Sequence, residues 1–419
     1  MARSISAGKL PEGWNYGFLD DFSVRCSGHT PSKSHPEYWN GGIKWISLAD
    51  SHRLDKGYVY ETDNEISLEG VENSSAEIHP AETVVLSRDA GIGKSGVMAQ
   101  PMAVSQHFIA WICDNKSQLH SWFLYNWLQH HKREFERQAV GSTIKTIGLP
   151  YFKKLKIALP PFPEQKKIAQ ILSTWDQAIT ATERLLENSQ QRKKGLMQQL
   201  LTGKKRLPGF EGEWRTIELG SLGSTYAGLS GKTKEDFGTG EPFVTYMGVF
   251  SDGSIKTDRF DFVRLSEGES QNKVQYGDIL FTTSSETPEE VGMASVLLED
   301  LPYNLYLNSF CFGFRLSSFE ALLPEYARYL FRGEEMRRRI SALAQGATRY
   351  NLSKKQLVKL DILLPGKAEQ EAISQILTTS DMEISAVRHR LVYLREEKKA
   401  LMQQLLTGKR RVNVDTEAA

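Results

Sequence analysis

Two stretches of the chain carry their apolar residues in alternating steps of four and three. The later stripe runs through Ile373, Leu377, Ser380, Ile384, Val387, Leu391, Leu394, Lys398, Leu401 and Leu405. The earlier one runs through Ile168, Leu172, Trp175, Ile179, Thr182, Leu186, Ser189, Lys193, Leu196 and Leu200. A mean spacing of about 3.5 residues predicts helices that pack as a left-handed coiled coil. Pro163 with Glu164 suits a first helical turn, and Gly203 and Gly408 follow the last apolar positions as stops. Such a stripe is packing surface and implies no chemistry.

The two stripes belong to an internal repeat. Glu164-Gln-Lys-Lys-Ile-Ala-Gln-Ile-Leu matches Glu369-Gln-Glu-Ala-Ile-Ser-Gln-Ile-Leu, and Leu-Met-Gln-Gln-Leu-Leu-Thr-Gly ends at both Gly203 and Gly408. The offset is constant and about half the positions are identical without a gap. Upstream, Gly141-Ser-Thr pairs with Gly346-Ala-Thr, and Leu155, Ile157, Leu159 and Pro160 pair with Leu360, Ile362, Leu364 and Pro365. Farther upstream the likeness thins to fragments, Trp14–Leu19 with Trp214–Leu219 and Val84–Val97 with Asp278–Val296. The layout is variable region, helix, variable region, helix.

Topology limits how the helices pair. The second variable region joins the end of the first helix to the start of the second, and parallel pairing would make it span roughly 60 Å, about 40 residues at ~1.5 Å each. Antiparallel pairing needs no bridge. The expected fold is α+β: two globular domains separated by a long antiparallel two-helix coiled coil, with a pseudo-twofold internal repeat. The expected boundaries are 1–160 for the first domain, 161–206 for the first helical segment, 207–365 for the second domain, 366–411 for the second helical segment and 412–419 for a tail.

Composition adds bounds. A chain of 419 residues with 25% charged and 40% hydrophobic residues suits a folded protein of two or more domains. No apolar run is long enough to cross a bilayer, and Met1–Leu10 lacks the apolar core of a secretory signal, so the expected place is the cytoplasm, without a membrane partner. Cys26, Cys113 and Cys311 are scattered and read as reduced structural residues. The net charge of +1 means that any attraction for nucleic acid must be local. Local runs exist at Lys153, Lys154 and Lys156, at Arg337–Arg339, at Lys354 and Lys355, and at Lys204–Arg206 and Lys409–Arg411, each of which could equally be a solvated face.

Catalytic motifs fail on inspection. Gly93-Lys94-Ser95 ends like a phosphate loop, but Arg88 stands where that loop requires glycine. Leu159-Pro160-Pro161-Phe162 resembles the Asn-Pro-Pro-Phe of adenine methyltransferases, yet leucine cannot accept from the amino group of a flipped adenine. His29, His35, His52, His79 and His107 match no compact ligand spacing, so no metal and no cofactor is expected.

The order Gly-Ser-Thr, a hydrophobic strand ending in Leu-Pro-Pro, then Glu-Gln-x-x-Ile-Ala-x-Ile-Leu, repeated after a second variable region, resembles the specificity subunits of type I restriction-modification systems. The resemblance covers essentially the whole chain, although such chains often carry a further helical segment ahead of the first domain, where here Met1–Pro11 precede Trp14. It implies a non-catalytic subunit whose two variable regions are target recognition domains. Each would read one half of a bipartite, asymmetric site in double-stranded DNA. The helices would hold two modification (methyltransferase) subunits and, with them, restriction subunits.

Base reading calls for paired donors and acceptors such as Arg, Asn and Gln, while Lys, Ser and Thr hold phosphates. The candidates are Ser87, Arg88 and Lys94 in the turn Leu-Ser-Arg-Asp-Ala-Gly-Ile-Gly-Lys-Ser, and Thr282, Thr283, Ser284 and Ser285 in the matching part of the second half. Near the exits of the two domains they are Ser142, Thr143 and Lys145, and Thr348, Arg349, Tyr350 and Asn351. Two other functions stay open on sequence alone: a scaffold that spaces two protein-binding heads, and a self-sufficient DNA methyltransferase.

Overall fold

The computed structural model describes residues 10–141 and 145–414. It divides into two compact units, Met1–Glu183 with His389–Ala419, and Arg184–Arg388. Each contains half of both long helices, which run Phe162–Leu200 and Lys367–Leu405.

Every residue of the two predicted stripes is at least partly buried, and Ile168, Leu172, Ile373 and Leu377 at their starts join the cores of their domains. Within each unit the helix halves run antiparallel. In the second unit Lys193 pairs with Asp381 and Arg192 with Glu383. In the first, Lys398 pairs with Asp176 and Arg395 with Glu183. The stops lie where glycine permits them: Gly203 and Gly408 take φ of +70° and +71°, a left-handed conformation that ends a helix without a Cβ clash.

A buried glutamate and glutamine anchor each helix start. Glu369 accepts two bonds from Arg206, at 2.7 and 2.8 Å, and one from Trp214 Nε1 at 3.1 Å. Gln370 accepts from the Leu323 amide at 2.9 Å and donates to the Ala321 and Pro365 carbonyls. In the first unit Glu164 is clamped by Arg411 at 2.7 and 2.8 Å, and Gln165 bridges the His120 amide to the Gln118 and Pro160 carbonyls. These side chains satisfy backbone groups around the helix starts that would otherwise be buried unpaired. They also engage one residue from each of two basic runs: Arg206 and Arg411 are structural clamps, while Lys204, Lys205, Lys409 and Arg410 stay exposed.

Both domains share one strand plan. The main sheet of the first has the order Ser23–Ser27, Phe108–Cys113, Val84–Ser87, Ser95–Met98, with Tyr58–Val59 added in parallel. That of the second has the order Gly223–Ala227, Cys311–Leu316, Ile279–Thr282, Ala294–Val296. A smaller three-stranded sheet is built on Trp39–Ile46 in one and Phe237–Val244 in the other. In each, the strand that opens the domain pairs antiparallel with the one that leads into the helix, Asn15–Phe18 with Lys156–Leu159 and Arg215–Glu218 with Asp361–Leu364. Both faces of the central strands are buried, which is why Val84–Ser87 and Ile279–Thr282 read as apolar runs without alternation. No helix among the described residues is long and apolar enough to cross a membrane.

Candidate nucleic-acid interface

The central strand of each main sheet ends at a residue whose backbone joins three segments. In the first unit the Arg88 amide donates to the His107 carbonyl at 2.9 Å, and the Ile147 amide donates to the Arg88 carbonyl at 2.9 Å. In the second, Thr283 donates to the Phe310 carbonyl at 2.9 Å and Leu352 donates to Thr283 at 2.8 Å. Arg88 thus matches Thr283, His107 matches Phe310 and Ile147 matches Leu352. The strand end and the segment before the helix, far apart in sequence, form one place in each domain.

The side chains at that place differ. In the first unit Asp89 accepts from Thr146 Oγ1 and pairs with His107 Nδ1 at 2.7 Å. Arg88 Nε donates to the Ile147 carbonyl at 3.1 Å, and Lys145 is exposed beside it. In the second unit Ser284 and Ser285 form a short strand against Asn351 and Tyr350. Arg349 is exposed, donates from Nε to Ser284 Oγ at 3.2 Å, and lies 6.0 Å from the centre of the Phe310 ring. Its two terminal nitrogens have no protein partner among the described residues. Tyr246 donates its hydroxyl to the Ser284 carbonyl at 2.7 Å, and burial pushes its pKa up, so it stays a donor.

A hairpin carries the exit-side candidates. Ala344 and Gln345 pair with Leu352 and Asn351, leaving Gly346, Ala347, Thr348 and Arg349 at the tip. Gly346 has φ +130°, and a Cβ there would sit 2.1 Å from the Arg349 carbonyl oxygen, so only glycine closes this turn. The first unit repeats the motif as a bridge between Val140 and Thr146, with Gly141 also at +130°. Ser142 and Thr143 lie outside the described residues.

Several candidates turn inward. Ser87 is 1% exposed and donates to the Asp89 carbonyl, while Thr282, fully buried, accepts from the Met293 amide. Ser284 and Ser285 are also buried, and Lys94 donates to the Ser51 carbonyl and hydroxyl, both at 3.0 Å. These residues shape the loops. Thr348, Arg349, Asn351 and Lys145 are exposed, and Tyr350 and Arg88 are half-buried. Of the Arg337–Arg339 run, Arg337 turns inward: it donates to the carbonyls of Gly292, Glu289 and Val291, and burial pulls its pKa down to about 10, whereas Arg338 is exposed and pairs with Glu335. Nothing in the sequence marks Asp89, Phe310 or Tyr246, and His107 stands there only among scattered histidines, because the repeat is too degraded at these positions to align the halves.

Two domains with one framework and different polar groups at one equivalent place follow each other in the chain, each leading into a matching long helix. The profile of the type I restriction modification DNA specificity domain matches residues 11–188 and again 211–391. The chain belongs to this family. The specificity subunit of the Escherichia coli K12 type I restriction enzyme EcoKI is 25% identical over 389 residues, 88% of this chain and 82% of that one. That of the Methanocaldococcus jannaschii enzyme MjaIX is 28% identical over 178 residues, 42% of this chain and 41% of its own length. The crystal structure of the type I S subunit from M. genitalium shares the fold, with a TM-score of 0.55 at 15% identity, covering 95% of this chain and 98% of that one. As a type I specificity subunit, the chain serves DNA sequence recognition, and the matched segments of the two units are its two specificity domains.

Proposed function

We propose that each domain reads one half of a bipartite, asymmetric double-stranded DNA site, and that the chain does so as a non-catalytic cytoplasmic subunit carrying two modification subunits and, through them, restriction subunits. The recognition domains are residues 1–160 and 207–365, with helical segments 161–206 and 366–411 as spacers. The observation that carries this reading is the paired place on the two domains: the same backbone junction presents Arg88, His107 and Lys145 in one and Arg349, Tyr350, Asn351 and Phe310 in the other. One framework with two polar surfaces is what two different half-sites require.

Chemistry divides the labour. Arg349 keeps two free nitrogens on a guanidinium held by Ser284, a geometry able to donate to guanine O6 and N7, and Asn351, whose Nδ2 donates one hydrogen to the Arg349 carbonyl at 3.3 Å, keeps Oδ1 and its second amide hydrogen for adenine. Lys145 and Thr348 are placed for phosphates, and the buried Ser87, Thr282, Ser284 and Ser285 hold the loops. The test is a map of methylated bases in a methylation-free host expressing the chain with its modification subunit. Replacing residues 207–360 by the equivalent region of another family member should change one half-site alone. A change in both halves would refute independent reading.

The helices would set the gap between half-sites. Four helix-forming residues inserted after Leu201 add about 6 Å, against ~3.4 Å per base pair, so the preferred gap grows by one or two base pairs. Full activity at an unchanged gap would rule out the ruler.

A further inference from the structure

Cys26 meets Glu77 and His79 in the first unit, although some fifty residues separate it from them. A sulfur, a carboxylate oxygen and an imidazole nitrogen from the three lie within 4.8 Å of one another. His79 is 2% exposed, and its Nε2 is buried with no hydrogen-bond partner. An orphaned ring nitrogen of this kind loses its hydration without compensation unless something binds it. Cys26 is half-buried on the strand Ser23–Ser27, and Glu77 is exposed, which leaves the cluster reachable from solvent.

The second unit shows what normally occupies this place. Cys26 pairs across the sheet with Ala110, and Tyr226 pairs with the matching Gly313. His79 bridges Met102, and Val274 bridges the matching Leu305. The positions of Cys26, Glu77 and His79 are therefore those of Tyr226, Asn272 and Val274. There the opening strand is tied to the segment before the central strand by direct hydrogen bonds: Tyr226 donates to Asp278 at 2.7 Å, and Asn272 donates to the Ala227 carbonyl at 3.0 Å. Asp278 is in turn held by Arg315 at 2.8 and 2.6 Å. In the first unit no hydrogen bond joins Ser23–Ser27 to Glu77–His79 among the described residues. An aromatic staple has been replaced by a small thiol, and a valine by an unpaired imidazole.

We propose that Cys26, Glu77 and His79 bind a zinc ion that ties the opening strand of the first recognition domain to the segment before its central strand. Thiolate, imidazole and carboxylate are the ligand types zinc takes, three protein ligands leave its fourth position for water, and the ion would give the buried His79 ring a partner. Burial lowers the pKa of His79, keeping the imidazole in its neutral, coordinating form, and raises that of the Cys26 thiol. Binding therefore forms a Zn–S bond and releases the thiol proton to solvent, one proton per ion. The role is structural; nothing in DNA reading is routed through the ion.

The test uses the full-length chain stripped by chelator, then titrated with Zn2+ or Co2+ at neutral pH. One ion per chain is expected, with a rise in the melting temperature of one transition and, for Co2+, a thiolate-to-metal charge-transfer band. Cys26→Ser removes that band. His79→Val installs the residue of the matched position, so that chain should fold, melt no lower than the metal-free parent, and bind Zn2+ at least ~100-fold more weakly. Failure of the parent chain to bind stoichiometrically overturns the proposal. So does a Co2+ spectrum without the sulfur band, or Zn2+ affinity that both substitutions leave unchanged.

Discussion

The two domains are built on one ladder and stabilised by different chemistry. The second relies on direct polar bonds: Tyr226, Asp278 and Arg315 lock together, Arg332 donates to four backbone carbonyls, and Trp214 reinforces the Glu369 clamp. The first lacks several of these. The indole nitrogen of Trp14 is buried without a partner where Trp214 has one, and a Cys-Glu-His cluster replaces the tyrosine staple. All nine histidines lie in the first unit and none in Arg184–Arg388. What is shared between the halves is backbone geometry; what differs is the side chains at matched positions. A duplicated framework can therefore diverge in specificity without changing fold.

The largest expected effect is at the clamps. Glu369→Ala leaves Arg206 and Trp214 Nε1 without their acceptor and should destabilise the second unit by about 3 kcal/mol, whereas Glu164→Ala should cost the first nearer ~2 kcal/mol, since Arg411 is more exposed and keeps the Glu12 carbonyl. Chemical denaturation followed by two probes, one in each unit, measures both. Equal losses would show that Trp214 adds nothing to the clamp.

Recognition should separate next. Arg349→Ala should lower methylation at one half-site about 10- to 100-fold, the worth of a bidentate base contact, and leave the preference at the other intact. His107→Ala should act on the opposite half, with Asp89 left to Thr146 alone among its hydrogen-bond donors. Methylome sequencing of both variants decides it, and a uniform fall at every site would recast Arg349 as a phosphate contact.

Mild acid should distinguish the units by roughly 2 kcal/mol. Burial lowers the pKa of His131 to about 4, and its Nδ1 donates to the Trp127 carbonyl at 2.8 Å. His79, His120 and His130 are lowered as well. The unfolded chain therefore takes up protons first: stability is full above pH 6.5, the ordinary value, and falls as pH drops towards about 4. The second unit has no such group. Its shifted carboxylates, among them Glu269 at about 2, lose their contribution only below the usual carboxylate range. Melting at pH 7 and pH 5 should lower one transition far more than the other.

The smallest difference lies along the helices. Lys398→Ala should cost the first unit up to ~1 kcal/mol and Lys193→Ala the second somewhat less, because Asp381 keeps Tyr329 at 2.8 Å and Arg328 at 3.3 Å after Lys193 is gone. A double-mutant cycle with Asp176 and Asp381 would resolve it.

The sequence by itself determined the repeat, both helices, their antiparallel sense and their stops, because a 3.5-residue stripe, a glycine stop and loop length are local or topological constraints. It also pointed to the two places where the strand end and the domain exit meet, since Arg88 and Thr283 to Ser285 lie on one side and Lys145 and Tyr350 to Asn351 on the other. Only the tertiary structure decided which of those side chains face solvent. Ser87, Thr282 and Lys94 look as available as Arg349 in a polar loop, and burial by Asp89, Met293 and Ser51 is what removes them. His107, Phe310 and the Cys26, Glu77 and His79 cluster were hidden for the same reason: strand pairing brings distant residues together, and nothing in their spacing along the chain records it.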